Sequence, residues 1–162
     1  MKTCFIGLLL LLCSHIYAQG IRYNHVFVAR NLKNPPVYPY GTDSCVRFYF
    51  AHFGGFDSVL TRVIEKGDTA KYIRVYFSFV IADDGSPYDP HFSGIGSTQY
   101  NKSTSIRLLK YFDADKKYYE ALIKKMIAKM TFWKPGLYNG IPVDSRVDDY
   151  LQFWVGINPP TN

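Results

Sequence analysis

An α+β fold is predicted for this chain by three stretches whose hydrophobic periods differ. Ile73, Val75, Phe77, Phe79 and Ile81 alternate with Arg74, Tyr76 and Ser78, the period-two pattern of a strand with one buried face. Tyr119, Leu122, Ile123, Met126, Ile127 and Met130 recur at i, i+3, i+4, i+7, i+8 and i+11, the stripe of an amphipathic helix. From Val143 the period returns to two. Val143, Ser145, Val147, Leu151, Phe153 and Val155 fall on one face, and Asp144, Arg146, Asp148, Gln152 and Trp154 on the other. With 48% hydrophobic and 20% charged residues the chain has the composition of a folded globular protein, and 162 residues is the length of one domain.

The N-terminus reads as a secretory leader. Met1-Lys2 is a short positive region, Phe5 to Leu12 an apolar run, and Ile16-Tyr17-Ala18 a cleavage site, so residues 1–18 are expected to be removed and the mature chain to begin at Gln19. An uncleaved membrane anchor is the alternative, but the run is interrupted by Cys13, Ser14 and His15 and falls short of the ~20 residues that a span needs. A lipoprotein leader ending at Cys13 is a third reading, against which stands the bulk of Leu12. Cleavage after Ala18 leaves Cys45 as the one thiol, so the fold must hold without disulfides, and Cys45 is expected to be a small buried apolar residue. About 144 residues suffice for that, burying roughly two-thirds of the unfolded surface.

The formal charge of +6 is local rather than spread. Between Lys102 and Lys134 nine Lys or Arg face only Asp113, Asp115 and Glu120. With export expected and no nucleic-acid-binding motif in the chain, this excess reads as a solvated helix face rather than a nucleic-acid site, with an acidic partner or anionic membrane surface as the second reading.

The remaining elements follow in order. Residues 19–41 carry no period and contain Asn34-Pro35-Pro36, Pro39 and Gly41, which predicts an extended lead-in. Thr42 or Asp43 can cap a helix with Val46, Tyr49, Phe50 and Phe53 on one stripe, ending at Gly54-Gly55, while Val46, Phe48 and Phe50 also alternate as in a strand, and the period alone leaves the two open. Asp57 to Lys71 is mixed, a short helix or surface turn with a loop. Asp83-Asp84-Gly85-Ser86 closes a hairpin after the first strand, Gly85 supplying a positive φ. In the returning strand, Tyr88 to Ile95, Pro87 and Pro90 remove two backbone donors, which predicts an edge or shortened strand. Residues 94–111 read as a long polar insertion. Asp113 or Asp115 is expected to cap the main helix, which Pro135 and Gly136 require to stop near Met130, and Asn139-Gly140 supplies a second turn before the last strand.

Catalytic and metal chemistry find no pattern. His25, His52 and His91 stand apart, no Cys-x-x-Cys or His-x-x-x-His spacing occurs, and Gly94-Ile-Gly96 lacks the third glycine of a dinucleotide loop. Asp83-Asp84 and Asp148-Asp149 are adjacent pairs whose members point to opposite faces of a strand, so neither forms a carboxylate dyad. The chain is expected to be non-enzymatic, without a catalytic residue, cofactor or metal.

Three motifs, in order, resemble the TonB C-terminal domain, the periplasmic domain of energy transducers. They are Pro36-Val37-Tyr38-Pro39-Tyr40-Gly41 before a capped apolar segment, Val75 to Ser86 with its Val-x-Phe-x-Phe-x-Ile and Asp-Gly-Ser turn, and Trp133-Lys-Pro-Gly through Pro142-Val143 to Phe153. The resemblance implies a small antiparallel β-sheet packed against one or two α-helices over residues 42–157, with 158–162 as a tail. It also implies that the last strand, Val143 to Val155, is an edge that binds an envelope protein, with outer-membrane receptors as one class of partner, by β-augmentation. On that basis Arg146, Asp148, Tyr150, Gln152 and Trp154 are the partner-binding candidates, and self-association through the same edge is open to the chain. Asp149 and Tyr150 depart from the family pattern, which has an apolar residue and Pro there. The expected role is an exported, periplasmic or secreted TonB-like binding module. A membrane-anchored transducer and a small-molecule or glycan binder using the 94–111 insertion are the alternatives. N-terminal sequencing of the exported protein is expected to give Gln19 first, whereas an intact Met1 favours the anchored form.

Overall fold

The computed structural model describes residues 25–68, 70–98 and 106–155. The expected leader, residues 1–18, and the tail, 158–162, lie outside the described residues, as does the first part of the lead-in. Within them the protein is α+β, with a curled five-stranded sheet covered on one face by helices. The chain runs β1 (Phe27–Val28), a 3-10 turn (Ala29–Asn31), α1 (Gly41–His52), α2 (Phe56–Glu65), β2 (Tyr72–Ile81), β3 (Pro87–Thr98) and β4 (Ile106–Leu108). A second 3-10 turn (Lys110–Asp115) leads into α3 (Lys116–Ile127), followed by β5 (Gly136–Tyr138), β6 (Ile141–Val143) and β7 (Ser145–Trp154). The sheet order is β1-β7-β2-β3-β4, all antiparallel except the short β1–β7 pair, and β5-β6 forms a separate two-stranded hairpin.

Strand β2 lies at the centre, and its alternation is why the core forms. Ile73, Val75, Phe77, Phe79 and Ile81 are all within 1% of complete burial, facing Tyr49 of α1, Val59 and Val63 of α2, and Tyr119, Ile123, Met126 and Ile127 of α3. Rings set much of the packing: Tyr49 meets Phe77 edge-on at 5.1 Å, Phe79 meets Trp133 at 5.7 Å, and Phe92 stacks on Tyr119 at 5.3 Å. Cys45 is buried, as expected of a small apolar residue.

Several expectations need correction. The lead-in is interrupted by the 3-10 turn at Ala29–Asn31 and is docked to the rest of the fold. Val37 exchanges both backbone hydrogen bonds with Lys134 at 2.9 Å, Leu137 N–H donates to the Asn34 carbonyl, and Phe27 N–H to the Asp144 carbonyl. Helix α1 starts at Gly41, with Tyr40 at its N-cap position, so Thr42 and Asp43 lie inside its first turn and do not cap it. Its buried face is Cys45 and Tyr49, and Val46 and Phe50, assigned to the buried stripe, are each about two-fifths exposed, at 42% and 41%. Asp115 occupies the N-cap position of α3 but makes no capping hydrogen bond and pairs instead with Arg62.

The prolines of β3 did not shorten it. β3 has 12 residues, and Asp89 and Pro90 together oppose the single residue Phe79, a bulge that removes Pro90 from the ladder. Both prolines sit in the half of β3 where β2 is the sole neighbour among the described residues, since β4 pairs only with Gly96 to Thr98. The supposed insertion is largely structured: β3 runs to Thr98, β4 and the 3-10 turn follow, and only 99–105 lie outside the described residues.

Gly85 has a double role. Its φ is +89°, and a Cβ there would run into the Trp133 carbonyl, because Trp133 N–H donates to the Gly85 carbonyl at 2.8 Å and draws the two backbones together. Gly140, at φ +80° in the Asn139-Gly140 turn, has open space around its Cβ position. Gly85→Ala is therefore expected to cost about 3 kcal/mol in urea unfolding and Gly140→Ala only about 1, the latter carrying backbone strain alone.

Candidate functional site

The alternation of β7 assigns its backbone as well as its side chains. Val155 N–H donates to the Lys71 carbonyl on the β2 side, and the Asp144 carbonyl accepts from Phe27 on the opposite side. Odd-numbered residues thus bond inward to β2, and Arg146, Asp148, Tyr150, Gln152 and Trp154 direct their N–H and C=O groups to the outer edge. β1 covers that edge only at Ser145 and Arg146, because the chain leaves it in the 3-10 turn at Ala29. From Asp148 to Trp154 no strand pairs with the outer edge among the described residues.

The five candidate residues therefore share both a backbone edge and a face. Four are exposed, Trp154 at 66%, and Gln152 is half-buried. They are ordered in two sets. Arg146 pairs with Asp148 at 3.3 Å, and Arg74 of β2 donates from Nε to Gln152 Oε1 at 2.6 Å, its guanidinium 4.8 Å from the Tyr150 ring centre. Tyr76 lies 5.9 Å from Tyr150, and with Ile106, Leu108 and Asp148 these rings wall an open hollow of about 620 Å³ on the solvent face of the sheet.

The residue that sequence reasoning left out of the site is Asp149. It stands at an inward position between Val147 and Leu151, where Tyr49 Oη donates to its Oδ2 at 3.0 Å and the Tyr150 N–H donates to its Oδ1 at 2.8 Å. Burial raises its pKa above the usual carboxylate value, and these two hydrogen bonds only partly oppose the effect. Among the described residues no basic side chain pairs with it. Burial also raises Tyr49, with the Asp149 charge adding to it, and pushes Cys45 up to about 11, so at neutral pH neither is ionised. Cys45 is consequently a poor nucleophile. A cavity of about 310 Å³ adjoins this group, between Val147 and Asp149 of β7, Cys45, Val46 and Tyr49 of α1, Pro36 to Tyr38, and Trp133. The signal for Asp149 was present in the sequence: a carboxylate at an inward parity of an otherwise apolar strand face.

No family model, curated protein or solved structure matches the chain. What the site can do follows from its own geometry: a strand edge with no partner among the described residues, an aromatic solvent face, and an acid held at the inner margin. His52 and His91 do not join it. His52 stacks on Phe48, and His91 lies between Asp89 and Glu120 on β3 and α3. Among the described residues no three His, Cys, Asp or Glu side chains converge as a metal site, and no helix is long and apolar enough to cross a membrane.

The raised pKa of Asp149 has a definite sign in stability. The folded state holds this proton more tightly than the unfolded chain, so stability falls as pH rises from the unfolded value of about 3.9 through the higher folded value. Asp149→Asn is expected to flatten that part of the pH–stability curve and to be at least as stable as wild type at pH 8. A variant that keeps the full pH dependence would show that Asp149 is not its source.

Proposed function

We propose that this protein is a non-enzymatic, exported protein-interaction module that pairs an extended segment of an envelope partner with the outer edge of β7. The observation that carries this reading is the run of edge-facing backbone groups from Asp148 to Trp154, which lies beside exposed aromatic side chains and has no neighbouring strand among the described residues. Backbone bonds to such an edge supply affinity, and side chains on either face supply choice of partner. The resemblance of three motifs to the TonB C-terminal domain supports the same mode and links it to TonB-dependent transport, with an outer-membrane receptor as one class of partner.

The solvent-face hollow favours a second reading, a small-molecule or glycan binder with Tyr76, Tyr150, Ile106 and Leu108 as its apolar wall. The two readings separate at Gln152. Its N–H faces the outer edge, so Gln152→Pro removes an edge donor while leaving β2 its own ladder bonds. In pulldowns from envelope extract, wild type is expected to recover a specific protein that Gln152→Pro loses, with the variant still folding cooperatively. Equal recovery by both proteins would rule out edge pairing.

A further inference from the structure

The groove beside β7 carries a more specific requirement, and it rests on the edge-pairing reading above. Helix α1 runs alongside β7 in the same direction: Cys45 and Val46 share a cavity with Val147, Tyr49 bonds Asp149, and Phe56, just beyond α1, meets Phe153 at 5.1 Å. Val46 and Phe50 lie one turn apart on the flank of α1 nearest β7, Val46 lining the cavity and Phe50 stacked on Phe56. A strand added to the outer edge lies about 4.8 Å from β7, and its residues opposite Val147, Asp149 and Leu151 point to the helix side. Alternate residues of that strand are about 6.7 Å apart and one helical turn is about 5.4 Å, so neighbouring inward side chains come to rest near Val46 and Phe50.

The middle inward position faces Asp149. This carboxylate is already half-buried without a cation, and it occupies the Tyr150 N–H, which is one of the edge donors an incoming strand needs. An apolar residue placed opposite would bury the charge further and leave that donor engaged. A lysine or arginine there takes the carboxylate, releases the Tyr150 N–H to the ladder, and lays its apolar stem along the cavity walls of Tyr38, Val147 and Trp133. A second copy pairing through its own β7 edge offers no such group, because the inward residues of β7 are Val147, Asp149, Leu151 and Phe153. From this charge complementarity we infer that the natural occupant of the β7 edge is an extended segment of another protein with a basic residue opposite Asp149 and apolar residues two positions to either side.

Three soluble ten-residue peptides with one alternating Val/Thr host sequence test this, carrying lysine, norleucine or glutamate at one central Val-parity position. Binding to the full-length protein is read by fluorescence anisotropy and by backbone amide shifts. The lysine peptide is expected to bind at least tenfold more tightly than norleucine, glutamate to bind worst, and the Tyr150 amide to shift most. With Asp149→Asn the lysine-to-norleucine ratio should collapse toward one. Equal binding of lysine and norleucine to wild type, with shifts at Asp148, Tyr150 and Gln152, overturns the basic-residue requirement and leaves edge pairing standing. No binding and no edge-amide shift with any peptide overturns both.

Discussion

The register of β7 on β2 is the constraint on which the rest of the structure depends. Ten residues on each strand pair without interruption, from Tyr72 opposite Trp154 to Ile81 opposite Ser145. A slip of one residue would turn Leu151 and Phe153 toward water and bring Arg146 and Trp154 against the helices. The same parity decides which backbone groups bond to β2 and which face outward, so the core and the candidate binding edge are set by one choice. The pairing joins residues far apart in sequence, and its closure cost is offset by a buried face in which Leu151, 1% exposed and opposite Val75, shares one core with Ile73, Phe77 and Phe79.

That register gives Asp149 its place. On an edge strand an inward charge opposes unwanted pairing, since a strand added there must either bury the charge or neutralise it. Tyr49 and the Tyr150 N–H hold the carboxylate in the free protein, and one of these bonds also occupies an edge donor. Such an edge is guarded rather than closed. The strand can stay open without pairing indiscriminately, and a guard of this chemistry selects for partners that bring a cation.

Much of the fold was legible because its signals are local. The alternation of Ile73 to Ile81, the Gly85 turn, the Tyr119 to Met130 stripe and the Asn139-Gly140 turn each depend on neighbours within a few residues. What was not legible depends on distant contacts. The lead-in carries no period of its own and is ordered by bridges to Lys134 and Leu137, far along the chain. Half of the α1 stripe was misassigned: Tyr49 and Phe53 are buried, but Cys45 is small and Val46 and Phe50 are large and apolar, and only the Tyr49 contact with Phe77 and Asp149 shows which side faces the sheet. Pro90 signalled a weak strand, yet a bulge opposite Phe79 absorbs it. The five edge residues were named from motif resemblance, and the structure gives them a common backbone edge. Asp149 could have been singled out from its parity, but not its partners.

Amide hydrogen exchange of the free protein tests the central claim most directly, that β7 presents an open edge with a defined parity. Val147, Leu151 and Phe153 should be strongly protected by β2, and Asp148, Gln152 and Trp154 should exchange near the rate of solvent-exposed backbone. Tyr150 should be partly protected, and Asp149→Ala should remove that protection. Strong protection of Asp148, Gln152 and Trp154 would mean that the edge is already occupied, and protection of the opposite parity would mean that the register itself is wrong.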